Sequence, residues 1–335
     1  MKFYYPLLAI ALLFSCGEEE ENCDGCDPSS VEAWNEPDSS DLISPVDAPS
    51  LVILGTFQDA GSPQINCHKE CCEHLHHQPD PDRMVVCLGL IDPENRKKYL
   101  IEATPDMPRQ LELLHQNAGF NRSDVPDGVL LTHAHIGHYS GLMYFGKEAM
   151  DASNIPVYTM PKMTEFLQTN GPWDQLVENE NIKLNPIEKE KEFELTSNFK
   201  IIPFIVPHRD EYSETVGFKI IGPNKSALFI PDIDKWSQWD KKITKELETV
   251  DYAFIDGTFY DSHEISGSRD VCEIPHPFIT ESFETFRELS DEERQKVIFI
   301  HFNHTNPVID PNSEEYEELT NEGFKVARIH QIYRL

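Results

Sequence analysis

Three histidines fall within six residues in Leu130-Leu131-Thr132-His133-Ala134-His135-Ile136-Gly137-His138-Tyr139-Ser140-Gly141. Imidazole is the commonest metal-binding side chain near neutral pH. His133 and His135, two apart on an extended segment, can reach one ion. His138, beyond a tight turn at Gly137, can reach a neighbouring position. Three loop histidines facing solvent would be the alternative, yet the chain carries only 14 His in 335 residues and this group directly follows an apolar run. Further donors also follow apolar runs: His208 after 201–206, Asp232 after 227–230 and His301 after 297–300. Taken singly, each reads equally well as a hydrogen-bonded loop residue.

The elements that must position these groups can be read from hydrophobic period. Strands are expected at 50–55, 98–103, 129–131, 156–159, several within 182–221, 227–230, 253–255, 297–300 and 325–332. Helices are expected at 107–117 with Leu111, Leu113 and Leu114 on the apolar side, and at 142–150, 163–169, 241–248, 278–289 and 313–320. Early strands followed by strand–helix alternation fit an α/β architecture of two sheets between helix layers.

The His-rich stretch resembles the His-x-His-x-Asp-His signature of the metallo-β-lactamase superfamily, with Gly137 where that family has Asp. The resemblance covers about 49–335 and implies an αββα sandwich. It assigns His133, His135, His208 and Asp232 to one metal, and His138 and His301, sharing Asp232, to a second. Gly137 removes one negative ligand from that second site. One metal only, a weak second metal, or replacement by Asp59, Asp234 or Asp256 are the three outcomes. Family layout also puts Glu102 behind the site, where an Asp is usual. Within the superfamily, Gly61-Ser62-Pro63-Gln64-Ile65-Asn66-Cys67, the Glu102–Asp106 segment and His301-Phe302-Asn303-His304-Thr305-Asn306-Pro307 look like the coenzyme PQQ synthesis protein B group. By that resemblance Cys67, Cys71, Cys72 and His304 hold a structural zinc, a mixture suited to a tetrahedral N/S site. A disulfide among these cysteines, His68, His74, His76 or His77 as other donors, and pairings of Cys87 and Cys272 stay open.

A dication held by neutral imidazoles and a carboxylate lowers the pKa of bound water by roughly eight units, toward ~7, and acts as a Lewis acid. Asp232 would hold the metal and orient the water. His138, if it is not a ligand, would protonate the leaving group. His276, in Pro275-His276-Pro277, is a substrate-side candidate or merely precedes a helix, and Asp256-Gly257-Thr258 lines the cleft or is a simple turn. The expected function is a metal-dependent hydrolase using Zn²⁺ on a small or medium-sized ester, amide or phosphodiester. The second reading, implied by the resemblance, is an Fe²⁺-dependent hydroxylase of quinone cofactor biosynthesis acting on a small peptide-derived precursor. A non-enzymatic metal-binding lipoprotein is the third.

Charge and the N-terminus bear on location. Lys+Arg number 28 against 59 Asp+Glu, a net charge of −31. Such a chain repels phosphate backbones, which argues against nucleic-acid partners and the RNA-processing branch of the superfamily. Residues 1–16 carry Lys2, an apolar run too short to span a bilayer, and Ser15 before Cys16. They resemble a bacterial lipoprotein signal, with lipid expected on Cys16 and the protein on the periplasmic or cell-surface side of a membrane. Residues 17–48 are acidic and rich in Ser and Pro, as expected of a solvated tether. Within them Cys23 and Cys26 suit a local disulfide. The folded domain is expected from residue 49 to 335.

Overall fold

The structure, a computed structural model, describes residues 44–120, 125–265 and 274–335. The signal at 1–16, most of the 17–48 tether, Cys16, Cys23, Cys26 and Cys272 lie outside these described residues. Val46 already donates its N–H to the Asn117 carbonyl at 2.8 Å and packs on the core.

Strands β1 (Ser50–Gly55), β2 (Cys87–Asp92), β3 (Lys97–Ile101), β4 (Gly128–Leu130), β5 (Ile155–Thr159) and β6 (Ile182–Pro186) belong to one sheet. Strands β7 (Phe193–Glu194), β8 (Lys200–Ile205), β9 (Val216–Ile221), β10 (Ser226–Ile230), β11 (Tyr252–Asp256), β12 (Val297–Ile300) and β13 (Lys325–Val326) form the other. Strand β14 (Ile332–Arg334) returns to the first sheet and pairs antiparallel with β1. The spatial orders are β14-β1-β2-β3-β4-β5-β6 and β13-β12-β11-β10-β9-β8-β7. The sequence suggests one strand over 325–332; instead the chain changes sheets there, turning through His330 at φ +70°.

Both faces of the sheets are covered, which explains why their strands read as nearly continuous apolar runs. In β1, Leu51 and Ile53 enter the core between the sheets, while Val52 and Leu54 face the core on the other side of the strand. Alternation of period two sends successive side chains to opposite faces. Fully burying each such side chain contributes about 1.5–3 kcal/mol. The middle layer holds Leu90, Ile101, Phe218, Phe229, Phe254 and Ile298. Helix Met107–Ala118 buries Leu111 and Leu114 against the first sheet and stops at Gly119, whose φ of +68° suits a left-handed cap. Trp236, Trp239 and Phe286 pack against Leu228, Ile230 and Phe299 of the second sheet. The result is the expected αββα sandwich.

Two expectations change locally. The run at 142–150 is a 3-10 segment, Ser140–Phe145, followed by a turn at Gly146, and Met143 and Met150 are exposed. Strand β2, absent from the expected strands, occupies part of the apolar run 84–91.

Strand direction locates the chemistry. Strands β3 and β4 are parallel, as are β10, β11 and β12, and β8 runs the same way as β10 because both are antiparallel to β9. Glu102, Thr132, His133, His208, Asp232, Asp256 and His301 all sit at or just beyond the C-terminal ends of these strands. Beyond β1 and β12, Phe57 and Phe302 form an isolated bridge.

Candidate metal centre

Each half of the centre begins with a buried carboxylate that orients two histidines, one directly and one through a threonine. In the first half Thr132 Oγ1 donates to Glu102 Oε1 at 2.5 Å. That hydroxyl has one proton, so the His133 Nδ1 found 2.9 Å away must donate to it. His133 Nε2 is thereby left as a lone pair. Glu102 Oε1 also lies 3.2 Å from His138 Nδ1.

The second half repeats the scheme. Thr258 Oγ1 donates to Asp256 Oδ1 at 2.7 Å and accepts from His301 Nδ1 at 2.9 Å. Asp256 Oδ2 takes His276 Nδ1 at 2.7 Å. Asp234 Oδ1 lies 3.2 Å from His208 Nδ1. Such outer partners fix the tautomer and raise ligand basicity. Glu102 and His301 have φ of +83° and +68°, the left-handed region that residues with a Cβ rarely adopt. Backbone strain of this kind concentrates at functional sites.

The oriented nitrogens converge. His133 Nε2 meets His135 Nδ1 at 2.8 Å. Asp232 Oδ2 lies 3.0 Å from His138 Nε2 and 3.1 Å from His301 Nε2, and Asp232 Oδ1 lies 3.6 Å from His208 Nε2. Within each of the sets His133–His135–His208, His133–His138–Asp232 and Asp232–His276–His301, the ligand atoms lie within 4.8 Å of one another. Asp232 Oδ2 and His301 Nε2 are buried yet make no aligned hydrogen bond. A buried polar atom without a partner costs free energy, and a shared cation satisfies several at once. The residues therefore fit a metal, and all six expected ligands come together.

Electrostatics favour ligation at His133 and His135, while His138 without a metal holds its proton between two carboxylates. Burial, with His138 next, holds His133 well below the usual imidazole range. Burial and then His208 lower His135 to about 4. Both are neutral near pH 7, the form that binds metal. For His138 burial works downward, but Glu102 and Asp232 outweigh it and raise it well above normal. Burial opposes ionisation of Asp232, yet His301 and His138 hold it well below the carboxylate range. Burial likewise lowers His276, but Asp256, Asp232 and Asp59 together raise it.

His138, proposed from sequence as a proton donor, is 1% exposed and enclosed between Glu102 and Asp232. His276 keeps 14% of its side chain open. Asp256, read as either cleft or turn, orients His276 and, through Thr258, His301. The orienting role of the threonines is not visible in the sequence; Thr132 immediately precedes His133, and Thr258, in the Asp256-Gly257-Thr258 segment, stands two residues after Asp256, a spacing at which its N–H also bonds the carboxylate at 2.9 Å. Gly137 is packed against Asp59: a Cβ there would meet Asp59 Cβ at 1.8 Å and its Cα at 2.4 Å.

The four residues of the second cluster converge. Ligand atoms of Cys67, Cys71, Cys72 and His304 lie within 4.8 Å of one another. Cys67, Cys71, Cys72 and Cys87 are all free thiols, so no disulfide links them among the described residues. Burial and the neighbouring Cys72 push Cys71 up to about 12. His76 instead contacts the Cys67 carbonyl and His68 contacts Glu73, both at the surface. Cys87 is buried in the core beside the Glu102 carbonyl.

Comparison with known proteins places the chain in context. A family model described as beta-lactamase superfamily domain matches residues 97–302. The coenzyme PQQ synthesis protein B of Bradyrhizobium diazoefficiens is 23% identical over 303 residues, covering 82% of this chain and 96% of that protein. The protein of the same name from Klebsiella pneumoniae is 24% identical, covering 83% and 95%. Among solved structures, Zn(2+)-bound PqqB from Methylobacterium extorquens aligns with a TM-score of 0.71 at 22% identity, covering 85% of this chain and all of that one. A diphosphatase from the PhnP family aligns at 0.60 and 20% identity, covering 85% and 96%.

Proposed function

Because the chain belongs to the beta-lactamase superfamily, which its family match over residues 97–302 establishes, we propose that it is a metal-dependent hydrolase of small or medium-sized esters, amides or phosphodiesters. The observation that carries this reading is the convergence of His133 Nε2 on His135 Nδ1 at 2.8 Å, with His208 and Asp232 alongside. A bound dication supplies Lewis acidity and a water activated near neutral pH. Asp232 would hold the dication, balance its charge and orient the water. Glu102 and Asp256 hold the imidazoles in fixed tautomers. His276, bonded to Asp256 and still 14% exposed, donates a proton to the leaving group.

The PqqB-like oxidative reading is the alternative, favoured by curated relatives named coenzyme PQQ synthesis protein B. A His-rich site with a carboxylate also suits Fe²⁺. We further propose export, with lipid on Cys16 holding the domain at the outer side of a bacterial membrane. Among the described residues no helix is long and apolar enough to cross a membrane. The structural zinc at Cys67, Cys71, Cys72 and His304 is part of the same proposal.

The test is metal content of the full chain, purified aerobically and anaerobically without chelator, beside His133→Ala. Zinc lost with His133→Ala, together with loss of turnover on nitrophenyl ester, anilide and phosphodiester substrates, supports the hydrolase. Iron in the anaerobic sample with metal-dependent oxygen consumption moves the assignment to the hydroxylase. Absence of any His133-dependent metal overturns both and leaves a non-enzymatic binding role.

A further inference from the structure

We infer that Ile136 and Tyr212 form an apolar lip at one end of the opening of the metal centre, and that they select substrates carrying an aromatic or branched apolar group on the side of the scissile bond away from the leaving group. This inference rests on the hydrolase reading and names the substrate class that the same site takes.

Exposure fixes where the centre opens. The side chains of His133, His138, His208, Asp232 and His301 are 4% exposed or less, whereas His135 keeps 16% and His276 14%. The His135 and His208 rings are 4.9 Å apart, and the His208 and His276 rings 5.4 Å apart. The opening therefore runs across His208, from His135 at one end to His276 at the other. His276 serves the leaving group in the reaction proposed above, so the retained half of the substrate lies toward His135.

Ile136 and Tyr212 stand at the His135 end. Ile136 directly follows His135 and is 68% exposed, and Tyr212 is 65% exposed. Tyr212 belongs to the loop between β8 and β9, and the residues on either side of it are pinned to the histidine segment. Glu211 Oε2 lies 3.6 Å from His135 Nε2, and Ser213 Oγ accepts the Ala134 N–H at 2.8 Å. The Tyr212 ring packs 5.5 Å from Phe166, and Phe166 packs 5.5 Å from Tyr139. Tyr139 is three residues from Ile136 on the short helix Ile136–Tyr139, a spacing that puts both on one face. The four residues thus border His135, with Tyr139 buried, Phe166 half-buried, and Ile136 and Tyr212 bare to solvent. Bare apolar surface beside a metal centre, rimmed by the Glu211 carboxylate, has the character of a ligand site. A ring or branched chain of the substrate covers it, since aromatic and aliphatic groups pack on Tyr and Ile without a polar partner.

The test uses the full chain loaded with zinc alone and two esters that share a leaving group, para-nitrophenyl acetate and para-nitrophenyl phenylacetate. Each rate is divided by that of the same ester with hydroxide in water. The variants are Tyr212→Ala, Tyr212→Phe and Ile136→Ala, with zinc content and circular dichroism reporting that each is loaded and folded. The expected wild-type kcat/KM favours the phenylacetate by at least about tenfold. Tyr212→Ala and Ile136→Ala should each remove most of that preference, and Tyr212→Phe, which keeps the ring, should retain it. Equal normalised rates in the wild type, or a preference unchanged in Tyr212→Ala, would overturn the inference. If neither ester is hydrolysed, the hydrolase reading falls and binding decides the lip separately. Calorimetry with the phenylacetate and acetate ions should then show phenylacetate bound at least about tenfold more tightly by the wild type, with the difference lost in Tyr212→Ala. Equal affinities in the wild type would overturn the lip as well.

Discussion

Glu102 Oε1 accepts the Thr132 hydroxyl at 2.5 Å, and through that one proton it decides which nitrogen of His133 faces the metal centre. The same oxygen lies 3.2 Å from His138 Nδ1. Glu102→Gln retains the shape but turns either an amide N–H₂ toward Nδ1–H of His138 or a weaker acceptor toward Thr132. We expect zinc affinity at the centre to fall about 10–100-fold, as for loss of other outer partners of metal ligands. Circular dichroism should be unchanged, and chelator competition measures the shift. Unaltered affinity would mean that His133 and His138 are oriented by packing alone.

The mirror-image relay predicts a separable effect. Thr258→Val keeps side-chain volume and deletes the hydroxyl that links His301 Nδ1 to Asp256. It leaves a buried N–H unsatisfied, a cost of about 1–3 kcal/mol. The His301-dependent cation should weaken while the His133-dependent one is retained. Zinc titration of the variant checks the order of loss. Equal weakening of both would show that the two halves are not independently organised.

How far the sequence discloses this centre depends on whether the relationship is local. His133, His135 and His138 are legible because one loop carries them, and His208, Asp232 and His301 because each follows an apolar run that must be a strand. The Asp59–Gly137 packing is not legible, because nothing in either segment records that two loops meet. Glu102 was placed from family layout; its link to Thr132 needs β3 and β4 side by side in parallel. The exchange of sheets between β13 and β14 also escapes the hydrophobic pattern, since Val326, Ala327 and Ile332 are apolar whichever sheet they join. Strand β2 is missing from the expected strands although the 84–91 run is as apolar as that of β1.

The cysteine cluster makes a prediction that distinguishes its two chemical readings. The Cys71 thiol donates to the Cys72 sulfur at 3.9 Å with no disulfide between them, and His304 closes the group from beyond β12. If zinc ties the 67–72 loop to His304, a chelator should lower the melting temperature and a reductant alone should not. Ligand linkage gives about 4 kcal/mol at free zinc about 1,000 times Kd. Cys67→Ser should start from the lower melting temperature, bind one ion fewer, and respond little to chelator. Sensitivity to reductant instead of chelator would identify a disulfide.

Glu264, bonded to Thr305 and outside the strand-end histidine centre, gives a clear pH dependence. Burial raises it from 4.5 to about 7, although Thr305 Oγ1 donates to it at 2.7 Å and the Tyr260 and Asp261 amides also bond it. A carboxyl whose pKa is raised on folding binds its proton more tightly in the native state. Its stabilising contribution is therefore fully present below pH 4.5 and is lost as pH rises through about 7. The loss across that window is at most about 3 kcal/mol, from the free energy per pKa unit and reduced by the partial exposure of the side chain. Glu264→Gln keeps a neutral, hydrogen-bonding side chain at every pH. Denaturant melts from pH 4.5 to 8 should show the wild type losing stability relative to Glu264→Gln as pH rises, with the two converging at the acid end. Parallel curves would mean that Glu264 ionises without cost, through solvent access that its three hydrogen bonds do not close off.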